Sequence, residues 1–157
     1  MSLHSLFELV SIEREDEPPY FSLLRERSFD EAIPLIREAM ARDDGQAMGF
    51  YATLLALGRG VERNTPEAAA WFRQGAVRGD IFSKLAFGVC LASGLGLQTD
   101  HMEAAYWLYQ AARAGQPVAI SVLSDVVGRN PGVVGRHFSI EEYHDLMTKL
   151  RRPDVVH

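Results

Sequence analysis

Small and apolar residues recur at three- and four-residue intervals through most of the chain. Ala47, Tyr51, Ala52 and Leu55 form one such series and Ala68, Trp71, Phe72 and Ala76 another, the spacing that lines one side of an α-helix. With start and stop signals added, the pattern predicts helices near 3–10, 20–26, 29–42, 45–57, 65–78, 81–93, 101–114, 117–127 and 139–151. Ser28, Asn64 and Asp100 each stand three residues before an acid, Glu31, Glu67 and Glu103, which is the signature of a capped helix start. Pro34 falls inside the third predicted helix, and an interior proline removes a hydrogen bond, so that helix is expected to start late or bend. Glu15 to Pro19 reads as a polar loop, and Gly128 to Gly135 as an irregular connection to a last helix starting at Ser139.

The capping signals return at a fixed interval because the sequence repeats. At an offset of about 36 residues, Gly58 falls over Gly94, Gly60 over Gly96, Val61 over Leu97, Ala68 over Ala104, Trp71 over Trp107, Ala76 over Ala112 and Gly79 over Gly115. Weaker copies extend the register upstream, through Ala32, Arg37 and Ala39, and downstream, through Leu123, Gly132, Val133 and Tyr143. Each unit therefore reads as two helices joined by a Gly-x-Gly turn, where glycine lets the chain leave the first helix and reverse. No strand precedes these glycines and no Walker lysine follows, so they do not read as a phosphate loop.

The unit running from Gly79-Asp80 through Phe87-Gly88, Leu91, Gly94-Leu95-Gly96-Leu97, Asp100, Glu103-Ala104-Ala105, Trp107, Tyr109 to Ala112 and Gly115 resembles the Sel-like repeat, SLR, a relative of the tetratricopeptide repeat. The preceding unit resembles it through Ala47, Gly58 to Val61, Glu67-Ala68, Trp71 to Arg73, Ala76 and Gly79; it departs where Tyr51-Ala52 replaces the usual Leu-Gly pair and Gly75 replaces alanine. The resemblance is close over residues 44–115 and loose over the rest of 28–148. It implies an all-α fold, a short right-handed α-solenoid of stacked helix pairs whose first helices line a concave surface. It also implies an adaptor or regulator that holds another protein, and some small bacterial members are immunity proteins against secreted toxins. The expected organisation is a single domain, 1–157, with an N-terminal capping segment 1–27, repeat helices 28–135, and a C-terminal capping helix and tail 136–157.

Composition narrows the partners. The 157 residues are 47% hydrophobic and 24% charged, which suits a globular core. With 21 acidic against 16 basic residues and a formal charge of −5, broad contact with a phosphate backbone is not expected, and nucleic acid is excluded as the main partner. Met1 to Glu17 lacks the basic start and apolar run of a signal peptide, and no apolar run is long enough to span a membrane. Cys90, the single cysteine, rules out an intramolecular disulfide framework; the expected compartment is the reducing cytoplasm.

Candidate chemistry is thin. His101, His137 and His144 are the best titratable groups, and His137 with His144 and nearby acids is the constellation on which an enzyme reading would rest. No HExxH, CxxC or Gly-x-Ser-x-Gly motif is present, and neither a cofactor nor a metal is expected. Asp43, Asp44, Asp80 and Asp100 read as helix-start residues that offset exposed N–H groups. Cys90, between Phe87 and Leu91, reads as a structural thiol, and Trp71 and Trp107 read as packing residues.

Function is expected on the first helices of the pairs. On a wheel of 100° per residue, Ala47, Tyr51 and Leu55 share one side of their helix and leave Gln46, Phe50, Thr53 and Leu57 roughly opposite. The same positions in later units are Phe82, Ala86, Val89 and Ser93, then Val118, Val122 and Asp125. Such an apolar stripe predicts a non-catalytic binding face for a protein or peptide, with a secreted toxin or effector among the candidates. A homodimer formed through the same stripe is the alternative use. Termini folding back over the stripe would instead make it core.

Overall fold

Asp44, Asn64, Asp80, Asp100 and Gln116 each turn an extended residue into a helix start by accepting backbone hydrogen bonds with the side chain. Asp44 accepts from Gln46 N at 2.9 Å and Ala47 N at 3.2 Å, Asn64 from Glu67 N at 3.1 Å, Asp80 from Ser83 N at 2.8 Å and Asp100 from Glu103 N at 3.0 Å. These groups would otherwise be unpaired at the first turn. In the computed structural model, which describes residues 17–151, the helices that follow are α1 (Tyr20–Arg25), α2 (Phe29–Ala41), α3 (Gly45–Leu57), α4 (Thr65–Val77), α5 (Ile81–Ser93), α6 (His101–Arg113), α7 (Pro117–Arg129) and α8 (Ile140–Arg151). A 3-10 turn, Pro131–Val133, joins the last two, and no strand occurs among the described residues.

Helix ends are as local as their starts. Gly58 and Gly94 close α3 and α5 in the left-handed region, at φ +66° and +71°, where a side chain would be strained. Ser139 and Glu142 form a reciprocal capping box before α8: Ser139 N donates to Glu142 at 2.7 Å and Glu142 N to the Ser139 hydroxyl at 3.1 Å.

Three local expectations need correction. Ser28 precedes α2 but accepts no capping bond, and Asp43 is not a cap; it takes a left-handed φ of +66° in the turn and pairs with Arg78 at 2.6 Å. Pro34 neither delays nor ends α2, which runs through it, because its buried face of Ala32, Ile33, Ile36 and Ala39 is held against neighbouring helices. Helix α7 continues two residues past its predicted end, to Arg129. The helix predicted at 3–10 lies outside the described residues.

The helices stack as antiparallel pairs. Helix α3 packs on α4 and α5 on α6, α4 and α6 pack on the first helix of the next pair, and α3, α5 and α7 touch in succession. One core runs through the stack, with Ile36, Leu54, Phe72, Leu85, Leu91, Leu108 and Leu123 fully buried. Each such side chain contributes about 1.5 to 3 kcal/mol relative to exposure.

Register between pairs is set at the Gly-x-Gly turns. A Cβ at Gly60 would lie 2.6 Å from the Phe29 side chain, and one at Gly96 would collide with the Thr65 carbonyl, so each turn sits directly on the start of an earlier helix. The corresponding third turn carries Gly132, which has no atom within 4 Å of its added Cβ position. The last unit is seated differently: Phe138 stacks on Tyr109 with ring centroids 4.6 Å apart.

Candidate functional site

The first helices α3, α5 and α7 carry the predicted stripe, and the structure divides it. Every residue from Ala47 to Ala56 is buried, so α3 has no free face along that span. Phe50 is 3% exposed, Thr53 0% and, on α5, Ala86 0%, which corrects the expectation that they face solvent. Thr53 returns its hydroxyl to the Gly49 carbonyl at 2.9 Å and is satisfied inside the helix. The wheel assumed a helix with one covered side, whereas α3 is surrounded by the elements before and after it.

Phe50 is covered by α1. The Phe21 ring meets it edge-on at 4.7 Å, the Tyr20 ring lies 5.9 Å away, and Phe82 stacks on its other side at 6.2 Å. Phe72 then meets Phe82 at 6.2 Å, so five rings from four helices are continuous. The fold-back alternative therefore describes the N-terminal part of the stripe. Tyr20, Phe21 and Leu24 were not singled out in the sequence, although the Tyr20 to Leu24 spacing of one turn after Pro18-Pro19 is the signal that could have found them.

Past α3 the stripe opens. Leu57, Phe82, Val89, Val118 and Val122 are half-buried, as is Gln46, while Ser93 and Asp125 are exposed. Phe82, Val89, Val118 and Val122 lie against the core with part of each side chain in solvent. The accessible surface of the first helices thus grows from α3 toward α7.

Polar groups at the N-terminal edge form a second feature. Asp80 accepts from the Ser83 backbone at 2.8 Å and from its hydroxyl at 2.5 Å, both through Oδ2. Burial holds its carboxyl above the usual range, partly offset by these bonds. The Tyr20 phenol is raised by burial and then by the nearby Asp44 and Asp80 carboxylates. Its hydroxyl is buried and has no hydrogen-bond partner.

The candidate catalytic groups are not gathered. His137 is exposed against Tyr106 at 5.3 Å, and His144 is exposed against Tyr143 at 6.1 Å. His101 lines an open cleft of about 500 Å³ with Thr99, Asp100, Met102, Asn130, Gly132 and Val133, beside the turn that lacks glycine seating. No cluster of three or more metal-ligating side chains exists among the described residues. Cys90 is buried in α5, and burial pushes its thiol up to about 12, far from a reactive thiolate. Among the described residues no helix is long and apolar enough to cross a membrane.

Comparison with known proteins agrees with this geometry. The Sel1 repeat model matches residues 45–80 and 83–116, which are α3 with α4 and α5 with α6. The crystal structure of a Sel1 repeat protein from Oxalobacter formigenes is similar, with a TM-score of 0.65 and 24% identity over 81% of this chain and 50% of that one. An SLR-fold protective antigen present in uropathogenic Escherichia coli strains aligns with a TM-score of 0.57 and 18% identity over 99% of this chain and 34% of the antigen. At these identities the likeness is one of fold, and this chain spans only half and about a third of the two solved chains. No curated protein matches the chain.

Proposed function

Because the chain is a Sel-like repeat protein, we propose that it is a non-catalytic binding module that captures a partner protein, in the manner of a bacterial adaptor or a toxin-neutralising immunity protein. The repeat fold is a protein-interaction module type and generally a scaffold without catalysis, and its members generally bind other proteins. The observation that carries the reading here is the half-buried set Phe82, Val89, Val118 and Val122 on consecutive first helices. Apolar side chains already fixed against a core lose little freedom on binding and make good anchors.

The binding surface in this reading is centred on α5 and α7, with Leu57 and Gln46 at one end and Asp125 at the other. Capture from cells of the source organism, followed by identification of the bound chain, tests it. Val89→Glu and Val122→Glu should each lose the captured partner while the helical circular dichroism spectrum is unchanged. Undiminished capture by both would move the site away from the first helices. A toxin as the captured chain would select the immunity use, and a signalling or assembly protein the adaptor use.

A further inference from the structure

Tyr20 is a poor occupant of the place it fills. It is 2% exposed, its hydroxyl has no hydrogen-bond partner, and the charges acting on that hydroxyl are the Asp44 and Asp80 carboxylates. Each carboxylate spends one oxygen on its helix start: Asp44 uses Oδ1 for Gln46 N and Ala47 N, and Asp80 uses Oδ2 for both Ser83 donors. Asp44 Oδ2 and Asp80 Oδ1 accept nothing among the described residues. Basic groups of the chain do not serve them. Arg78 is tied to Asp43 at 2.6 Å, Arg25 of α1 is tied to Glu17 at 2.8 Å, and Lys84 acts on Asp80 only weakly. The site thus has aromatic walls, Phe50 and Phe82, and an unmet demand for hydrogen-bond donors at its edge.

Helix α1 holds this place by few means. It is six residues long, has no side-chain cap and no acid in its first turn, and is joined to α2 through Arg27 at a left-handed φ of +61°. Only Tyr20, Phe21 and Leu24 are buried from it.

We infer that the face over Phe50 and Phe82 is a docking site for a helical segment of the partner that carries an aromatic side chain and an adjacent arginine or lysine, and that α1 occupies the site until such a segment displaces it. The aromatic ring replaces Phe21 on Phe50. The guanidinium or ammonium group replaces the Tyr20 hydroxyl and donates to Asp44 Oδ2 and Asp80 Oδ1, which a phenol with a single hydrogen cannot satisfy together. The inference rests on the protein-binding reading above and extends the surface from α5 back to α3.

The probe is a fluorescein-labelled peptide of residues 18–28 and the same peptide carrying Tyr20→Arg, titrated onto the full chain and onto the full chain with Phe21→Ala. Tethered α1 competes at high effective concentration in the unaltered chain, so binding should appear chiefly in the Phe21→Ala chain. There the Tyr20→Arg peptide should bind at least about fivefold more tightly than the native peptide, the scale of one charge-assisted hydrogen bond. Adding Asp80→Asn, which keeps a helix cap, should erase the preference. Absence of binding, equal affinities, or a preference that survives Asp80→Asn would each overturn the inference.

If Phe21→Ala does not fold, Tyr20→Phe in the full chain decides instead. Deleting an unpaired buried hydroxyl should raise the melting temperature, and a lowered one overturns the inference. These readouts do not use the native partner. Failure of Val89→Glu and Val122→Glu to affect capture would therefore count against the broader reading alone.

Discussion

The indole Nε1 of Trp107 donates to the Glu103 carboxylate 3.2 Å away, one turn earlier on α6. Trp71 and Glu67 reproduce the bond at 3.4 Å on α4, and each indole meets a first-helix ring edge-on, Phe87 for Trp107 and Tyr51 for Trp71. Both tryptophans are half-buried rather than enclosed. Replacing either by alanine should therefore cost roughly 2 kcal/mol, below the range of about 3 to 5 for a fully buried ring. Phenylalanine should recover most of the loss. Urea denaturation of the two pairs of variants checks this, and an unchanged midpoint in both alanine variants would remove the tryptophans from the packing.

Phe50→Glu should destabilise the chain by more than about 3 kcal/mol, because it removes a ring packed against Phe21 and buries a charge. Val89→Glu, from a half-buried position on the same stripe, should keep its melting temperature within a few degrees. Thermal melts of the two side by side separate the closed part of the stripe from the open part.

Glycines at equivalent turns should respond in opposite directions. Gly96→Ala puts a methyl group into the Thr65 carbonyl at a φ of +76° and should cost at least about 1 to 3 kcal/mol. Gly132→Ala meets nothing within 4 Å and should be neutral or stabilising by up to about 1 kcal/mol through the unfolded chain. Equal effects would mean that the third turn is seated like the second.

The stacked pairs from 45 to 113 were legible because their signals are local. Asp80 and Asp100 as caps, Gly58 and Gly94 as stops, and Trp71 with Trp107 in register each depend on a few neighbouring residues. Coverage of the binding stripe is not local. Phe50 and Val89 occupy similar places on their own helices, and only the docking of Tyr20 and Phe21 from a different unit makes one core and leaves the other half open. Ser28 shows the converse limit: the right residue at the right spacing still makes no capping bond.

Ionisation offers two further checks. Burial raises the Cys90 thiol from 9.0 to about 12, so the folded chain keeps its proton after the unfolded chain has lost it. The stability Cys90 contributes is complete below about pH 9 and is lost as the pH rises through the folded value near 12. Urea titrations across that interval should show a steeper decline for the native chain than for Cys90→Ala.

Asp80 follows the same sign at the acidic end. Its carboxyl is raised by burial, so its favourable contribution is full below the ordinary value of 3.8 and is lost as the pH rises through the folded one. Asp80→Asn should therefore gain stability relative to the native chain between pH 3 and neutrality. A relative loss would show that the Ser83 bonds outweigh desolvation.

The unseated Gly132 also bears on how the chain comes apart. In a linear array each unit is held only by its nearest neighbours, so cooperativity travels no further than the weakest coupling. Gly60 and Gly96 give the first couplings a backbone-tight contact, while the last depends on side chains such as Phe138 on Tyr109. The array should fray from α8 inward, with amides of α7 and α8 exchanging with solvent well before those of α3 to α6. The end that frays first adjoins the widest part of the open face, so a partner gripping Val118 and Val122 would clamp the loosest unit and slow that exchange.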